Sequence, residues 1–131
     1  MKMRYIVCEQ PHEFLLKEKP MPVRQEGEVL LKIKKIGVCG TDIHAYGGTQ
    51  PYFEYPRILG HELAAEYIEG EVEGFKIGDK VTFIPYFHCG ECVACRNWLT
   101  NCCTNIKVFG VHIDGGMAEY VTIPEQYLLH G

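Results

Sequence analysis

The sequence lacks the features of several protein classes. Among its 131 residues, 13 Lys and Arg stand against 17 Asp and Glu, a formal net charge of −4. Without a positive excess, binding to nucleic acid or to an anionic membrane is not expected. Residues 1–10 lack the long apolar region of a secretory signal, and the longest near-apolar run, 81–87, is too short to span a bilayer. We therefore expect a cytoplasmic protein.

The chain also lacks internal repeats, low-complexity tracts and the fingerprint of a dinucleotide-binding fold. That fingerprint, Gly-x-Gly-x-x-Gly, needs glycines separated by a single residue, and none of the 14 glycines are spaced in this way. A composition of 47% hydrophobic and 23% charged residues excludes a disordered chain. The length suits one domain with a single core.

Six short runs rich in β-branched and aromatic residues predict a mainly β fold, either a sandwich or a barrel. They are residues 4–8, 14–17, 28–38, 81–86, 107–112 and 119–123. In the third run, the alternation of Val29, Leu31 and Ile33 with their neighbours breaks at Lys35-Ile36, which predicts a β-bulge just before Cys39. Residues 63–73 contain both helix-favouring and strand-favouring side chains, and we predict a strand there.

Seven cysteines in a chain without an export signal indicate metal ligands or free thiols rather than disulfides. The spacing Cys89-x2-Cys92-x2-Cys95-x7-Cys103 provides four thiolates, which complete a tetrahedron around Zn²⁺ and leave no position for water. A structural zinc site is therefore predicted. Ordinary thiols, two disulfides and an iron–sulfur cluster are the alternatives, although the cluster motif has a shorter last spacing followed by Pro. By spacing alone, Cys102 could replace Cys103.

A second group of metal-binding side chains lies between residues 37 and 62. Cys39 and His61 supply the sulfur and nitrogen donors of a catalytic zinc site, which takes three protein ligands and keeps one position open. Glu62 can supply the third ligand. A single cysteine or histidine is more often a packed or solvated side chain, so the prediction depends on the combination.

Together these segments resemble the catalytic domain of zinc-dependent medium-chain alcohol dehydrogenases. The resemblance covers essentially the whole chain, in the family's order. The matching segments are residues 37–44 (GVCGTDIH), 60–62 (GHE), 78–81 (GDKV), the four spaced cysteines and 116–120 (GMAEY). Residues 42–48 (DIHAYGG), Tyr52-Phe53 and 101–103 (NCC) are similar to sorbitol dehydrogenase-like members, especially those that oxidise sugar acids such as L-galactonate.

The resemblance implies a GroES-like β-barrel over residues 1–131, with a few short helices and a projecting cysteine-rich zinc lobe. It assigns Cys89, Cys92, Cys95 and Cys103 to a structural zinc, and Cys39, His61 and Glu62 to a catalytic zinc. Asp42 corresponds to the carboxylate that orients the ligand histidine. Thr41 and His44 form a candidate relay that takes the alcohol proton and passes it to solvent.

The implied reaction oxidises a small alcohol, polyol or sugar acid to a ketone, with hydride transfer to NAD or NADP. The nucleotide-binding Rossmann domain would follow residue 131, so we expect an N-terminal part that is inactive alone and belongs to a homo-oligomer at full length. We expect Tyr46, Tyr52 and Phe53 to line the substrate pocket, with a surface or core patch as the alternative. A zinc-stabilised binding module without catalytic activity is the alternative function.

Overall fold

The structure, a computed structural model, describes residues 1–51 and 53–131. Strands dominate, which confirms the predicted mainly β fold with a few short helices. In chain order the elements are β1 (Lys2–Gln10), β2 (Glu13–Pro20), β3 (Glu28–Gly37), α1 (Gly40–Gly47), β4 (Glu62–Glu69), β5 (Lys80–Phe83), β6 (Tyr86–Phe87), α2 (Val93–Arg96), β7 (Lys107–Val108), β8 (Tyr120–Pro124) and β9 (Leu128–His130), with 3₁₀ turns at Thr100–Cys102 and Glu125–Tyr127.

A five-stranded antiparallel sheet forms the centre of the molecule, in the order β8-β3-β4-β5-β9. One face of this sheet carries the main core, because side chains that alternate along each strand point to the same side. The predicted alternation in β3 is confirmed in part: Val29 and Leu31 are fully buried in the main core, but Leu30 between them is also buried. The other core side chains include Leu63, Ala65, Tyr67, Val81, Phe83, Val121 and Ile123.

The predicted bulge in β3 is also confirmed. The pairing of β3 with β4 shifts register between Ile33 and Lys35. Beyond this shift Gly37, the last residue of β3, lies opposite Glu62, the first residue of β4. The antiparallel pairing therefore brings the segment that follows β3 beside the segment that precedes β4, in a register that the bulge sets.

The first two strands form a separate ribbon that contacts the segment before His61 and the segment before β8. Tyr5 pairs with Ala118, and Cys8 exchanges backbone hydrogen bonds with Arg57. Behind the ribbon lies a second, smaller core. It contains Cys8, Ala45 and Leu59, with Phe53, Tyr55 and Met117 packed against it. This small core attaches the ribbon to α1 and to the chain before His61.

Several strands differ from the predicted runs. The run 107–112 is a strand only as far as Val108, because Gly110, with φ of 83°, turns the chain. The run 81–86 is divided at Pro85, which cannot donate to a strand ladder. The predicted strand 63–73 is confirmed only up to Glu69. Within residues 1–51 and 53–131, no helix has the length and apolar character needed to cross a membrane.

Candidate active site and metal centres

The side chains of Cys39, His61 and Glu62 converge where β3 ends and β4 begins. Cys39 lies between β3 and α1, and the ligand atoms of all three residues lie within 4.8 Å of one another. The structure thus brings together the three residues that the sequence analysis assigned to a catalytic metal. A set of one sulfur, one imidazole nitrogen and one carboxylate fits zinc, and three protein ligands leave one tetrahedral position for another molecule.

Asp42 lies beside two of these residues, and its carboxylate approaches both Cys39 and His61. Its Oδ2 accepts the backbone N–H of Cys39 at 3.0 Å, while its Oδ1 lies 3.8 Å from Nδ1 of His61. The Asp42 and His61 side chains are only 4% and 8% exposed. Neither Oδ1 nor Nδ1 has a hydrogen-bond partner among the described residues. A small closure would join these two buried atoms and leave Nε2 of His61 for a metal, so the geometry supports the predicted orienting role.

Backbone contacts fix the position of His61 in the fold. Gly60, which precedes it, has φ of 100° and accepts the N–H of Gly116 at 2.9 Å. A Cβ on Gly115 would lie 2.4 Å from the Gly60 carbonyl oxygen, and one on Gly110 would lie 2.8 Å from it. A side chain on Gly110 or Gly115 would overlap the Gly60 carbonyl oxygen, so no larger residue fits at either position. We call this close approach of Gly110 and Gly115 to Gly60 the glycine contact. The sequence analysis gave Gly110 and Gly115 no role in the site.

Asp114 supports the same segment from the other side. Its Oδ1 accepts the backbone N–H of Ile58 at 3.1 Å and lies 3.8 Å from Nη1 of Arg57. Asp114 was not among the residues that the sequence assigned to the site. Its position in an Asp-Gly-Gly turn was the one signal that could have indicated a closer packing role.

A cavity of about 320 Å³ adjoins His61 and Thr41. The Thr41 Oγ1 lies 3.8 Å from Cys39 Sγ. The wall combines polar and apolar side chains from α1, β6, β7 and the neighbouring loops: Thr41, Gln50, Pro51, His61, Tyr86, Val108, Val111 and His112. A second cavity of about 320 Å³ lies beside β1 and β8, but Cys39, His61 and Glu62 do not line it. We therefore place the candidate substrate site at the first cavity.

The remaining predicted site residues are arranged differently. His44 is exposed, with its Nδ1 3.2 Å from Thr49 Oγ1, and it does not line the cavity beside Thr41. The structure does not bring Tyr46 or Phe53 to this cavity either. Tyr46 packs against the rings of His12 and Phe14, and Phe53 packs against Tyr55 in the smaller core. Tyr52, the third expected pocket residue, lies outside the described residues.

The four spaced cysteines form the second cluster. The sulfur atoms of Cys89, Cys92, Cys95 and Cys103 lie within 4.8 Å of one another, whereas Cys102 is exposed and outside the group. This placement supports the assignment of Cys103 as the fourth ligand. All seven cysteines are free thiols in the described part of the chain. Four convergent sulfur atoms fit a closed tetrahedral zinc site.

Backbone N–H groups around this cluster lower the pKa of two of its thiols, which favours binding of a cation. The N–H groups of Glu91 and Cys92 donate to Cys89 Sγ and lower the pKa of that thiol. Backbone N–H groups lower the pKa of Cys92 to about 5, while burial raises the pKa of Cys95 to about 12. Some of the thiols are therefore ready to ionise, and the others would lose their protons on metal binding.

These two clusters and the surrounding strands match a known family. The Alcohol dehydrogenase GroES-like domain family matches residues 25–130. The chain belongs to this family. The predicted resemblance to zinc-dependent alcohol dehydrogenases and the GroES-like fold are thereby confirmed.

Three relatives illustrate the family. The L-galactonate-5-dehydrogenase of Escherichia coli K12 is 46% identical over 129 residues, which are 97% of this chain and 38% of that protein. The crystal structure of a short chain alcohol dehydrogenase (rspB) from E. coli CFT073, complexed with the cofactor NADH, matches with a TM-score of 0.87 and 36% identity over 98% of this chain. The galactitol-1-phosphate dehydrogenase of E. coli matches with a TM-score of 0.89 and 26% identity over 98% of this chain. In both structures the match covers 38% of the other chain.

Proposed function

We propose that residues 1–131 form the catalytic domain of a zinc-dependent dehydrogenase that oxidises a secondary alcohol of the polyol or sugar-acid type to a ketone. The observation that carries the proposal is the convergence of Cys39, His61 and Glu62 beside a cavity that His61 and Thr41 line. The names of the relatives that act on galactonate and galactitol phosphate support the substrate class.

The ligand set and its support have distinct tasks in this proposal. Cys39, His61 and Glu62 hold the catalytic zinc, and the cluster of four cysteines holds a structural zinc. When bound, the catalytic ion supplies Lewis acidity, which makes the hydroxyl of a neighbouring alcohol a stronger acid. Oδ2 of Asp42 accepts the backbone N–H of Cys39, and Oδ1 would orient the ring of His61 once the 3.8 Å gap to Nδ1 closes to a hydrogen bond.

Thr41 is the residue placed to receive the proton of the alcohol. Thr41 lines the cavity and its Oγ1 lies 3.8 Å from Cys39 Sγ, and a hydroxyl oxygen can accept one hydrogen bond while it donates another. His44 follows one helical turn later on α1 and is exposed, so it can pass a proton on to solvent. NAD or NADP, which residues outside this chain would hold, would supply the hydride acceptor.

The cavity wall suits a small substrate with several hydroxyl groups. Gln50, Tyr86 and His112 provide hydrogen-bonding side chains, whereas Val108 and Val111 provide apolar surface. A volume of about 320 Å³ is at the lower end of the range for small-molecule sites. The structure therefore supports a compact, polar substrate in preference to a long apolar alcohol.

Metal content tests the proposal in this chain. We expect about two zinc ions per wild-type chain, and about one in Cys39→Ala with the fold retained. Cys103→Ala should lose the structural ion and much of the stability of the cysteine lobe. Cys102→Ala is the matched control and should keep both ions, because Cys102 lies outside the cluster. A wild-type chain that binds only one zinc at saturation would instead favour a zinc-stabilised binding module.

Activity tests the proposal in a protein that contains this chain together with a nucleotide-binding domain. That protein should oxidise polyols or sugar acids with NAD or NADP, and Cys39→Ala should abolish turnover with the cysteine lobe intact. The isolated 131-residue chain should show no turnover, because it carries no Gly-x-Gly-x-x-Gly fingerprint. Alcohol oxidation by the isolated chain would contradict this expectation.

A further inference from the structure

We propose that Gly37 is a positioning residue for Glu62: the absence of a side chain at residue 37 leaves the space in which the Glu62 carboxylate lies beside Cys39 and His61. The inference rests on the proposed function of these three residues as a zinc site. It adds a fourth residue that does not bind the metal itself but determines where one of the three donor side chains lies.

The pairing of β3 with β4 places the two residues directly opposite each other. Side chains of directly opposed residues project from the same face of a sheet and are near neighbours. A Cβ on Gly37 would lie 2.9 Å from Oε2 and 3.0 Å from Cβ of Glu62. The Glu62 side chain therefore lies across the Cα of Gly37, in space that any larger residue would fill.

The backbone of Gly37 does not itself require glycine. Its φ is outside the left-handed region, unlike that of Gly60 or Gly110. A glycine inside a strand costs stability relative to other residues and often marks a close approach by another group. Here the group that approaches is the carboxylate of a candidate metal ligand. Gly40 and Gly47, by contrast, would place a Cβ in open space.

Glu62 is an exposed side chain, so other conformations are open to it in water. A carboxylate displaced into one of these conformations would no longer reach the metal, and the metal site would be weaker. An alanine at residue 37 would move the carboxylate away from the two remaining donors. Loss of an orienting contact at a metal ligand typically lowers metal affinity about 10- to 100-fold. This is the effect that we expect from Gly37→Ala.

The test is a cobalt titration of the 131-residue chain whose four-cysteine cluster is already filled with zinc. The readouts are the visible absorption of the second site and its affinity for Co²⁺. Gly37→Ala should weaken binding about 10- to 100-fold. The matched control Gly47→Ala should leave the affinity unchanged. In a Glu62→Ala background, Gly37→Ala should change the affinity less than about twofold, because the displaced carboxylate is absent.

The outcomes separate this inference from the proposed function. A wild-type chain that takes up no Co²⁺ at the second site would overturn both. Normal binding with an unaffected Gly37→Ala variant, or an equal loss in the Glu62→Ala background, would overturn the role of Gly37 alone. If Gly37→Ala does not fold, the double variant with Glu62→Gly should recover folding, since the two shortest contacts are with Oε2 and Cβ of Glu62. Failure to recover would also overturn the inference.

Discussion

Replacing Gly115 by alanine tests whether the glycine contact fixes the position of His61. The new Cβ would lie 2.4 Å from the carbonyl oxygen of Gly60, 2.6 Å from that of Leu59 and 2.7 Å from Cα of Gly110. Ordinary van der Waals contact begins near 3.4 Å, so the shortest separation must grow by about 1.0 Å (3.4 − 2.4). All three atoms belong to the main chain, and no change of rotamer can relieve the overlap.

This displacement would lengthen two backbone hydrogen bonds that hold the segment before His61 in place. The N–H of Gly116 donates to Gly60 at 2.9 Å, and the N–H of Met117 donates to Leu59 at 3.0 Å. Lengthening by about 1.0 Å would break both, at a cost of about 1 kcal/mol each. Overpacking a well-fitted interior costs about 1–3 kcal/mol. Because both costs describe the same movement, we expect a total loss of about 2–3 kcal/mol.

Urea unfolding of the zinc-loaded chain, followed by circular dichroism, measures this loss. The control is Gly47→Ala, where a Cβ meets nothing within 4 Å and the residue ends a helix. That variant should be neutral or more stable by up to about 1 kcal/mol. A Gly115→Ala chain within about 0.5 kcal/mol of the wild type would refute the reasoning, since it would show that the two segments separate at little cost.

Three further predictions concern other contacts. Asp42→Asn should lower metal affinity at the site of His61 about 10- to 100-fold with little loss of fold, measured by cobalt titration; unchanged affinity would remove the orienting role. The backbone N–H and the guanidinium of Arg4 lower the pKa of Glu119 in the folded chain. The ionised Glu119 therefore stabilises the fold above the unfolded carboxyl pKa of about 4.3, and this stabilisation is lost as the pH falls. Glu119→Gln should therefore show a shallower loss of stability in acid, and an identical pH profile would argue against the ion pair. In the zinc-loaded chain Cys102 should be the first thiol that iodoacetamide labels, and equally fast labelling of Cys102→Ser would contradict its assignment as the exposed thiol.

The structure brings together the donor side chains of both predicted ligand groups. The sequence could indicate the first group from its donor chemistry and the four cysteines also from their short spacing. Cys89, Cys92 and Cys95 are separated by two residues each, so the chain can fold them around one point with little help from the rest of the molecule. The bulge before Cys39 was predictable for a similar reason. A break in a two-residue period is visible in the sequence and has only a few structural explanations.

Contacts between distant segments could not be predicted in the same way. Gly110 and Gly115 meet Gly60 across about 50 residues of chain, and neither the spacing nor the composition of these segments encodes the approach. The three-residue strand β9 was too short to give a periodic signal. Tyr46 was expected in the pocket because it lies between two site motifs, but nearness along the chain does not determine which way a ring faces.

The β-bulge in β3 inserts one extra residue near Lys34, between Ile33 and Lys35. This bulge also limits how the site can be transferred to another protein. Deleting one residue there would restore an uninterrupted two-residue period and reverse the side on which every later position of β3 projects. A designer who grafts residues 37–44 and 60–62 onto another antiparallel scaffold would have to copy this irregularity as well. A regular host strand carrying the same residues would shift the register in which Gly37 lies opposite Glu62.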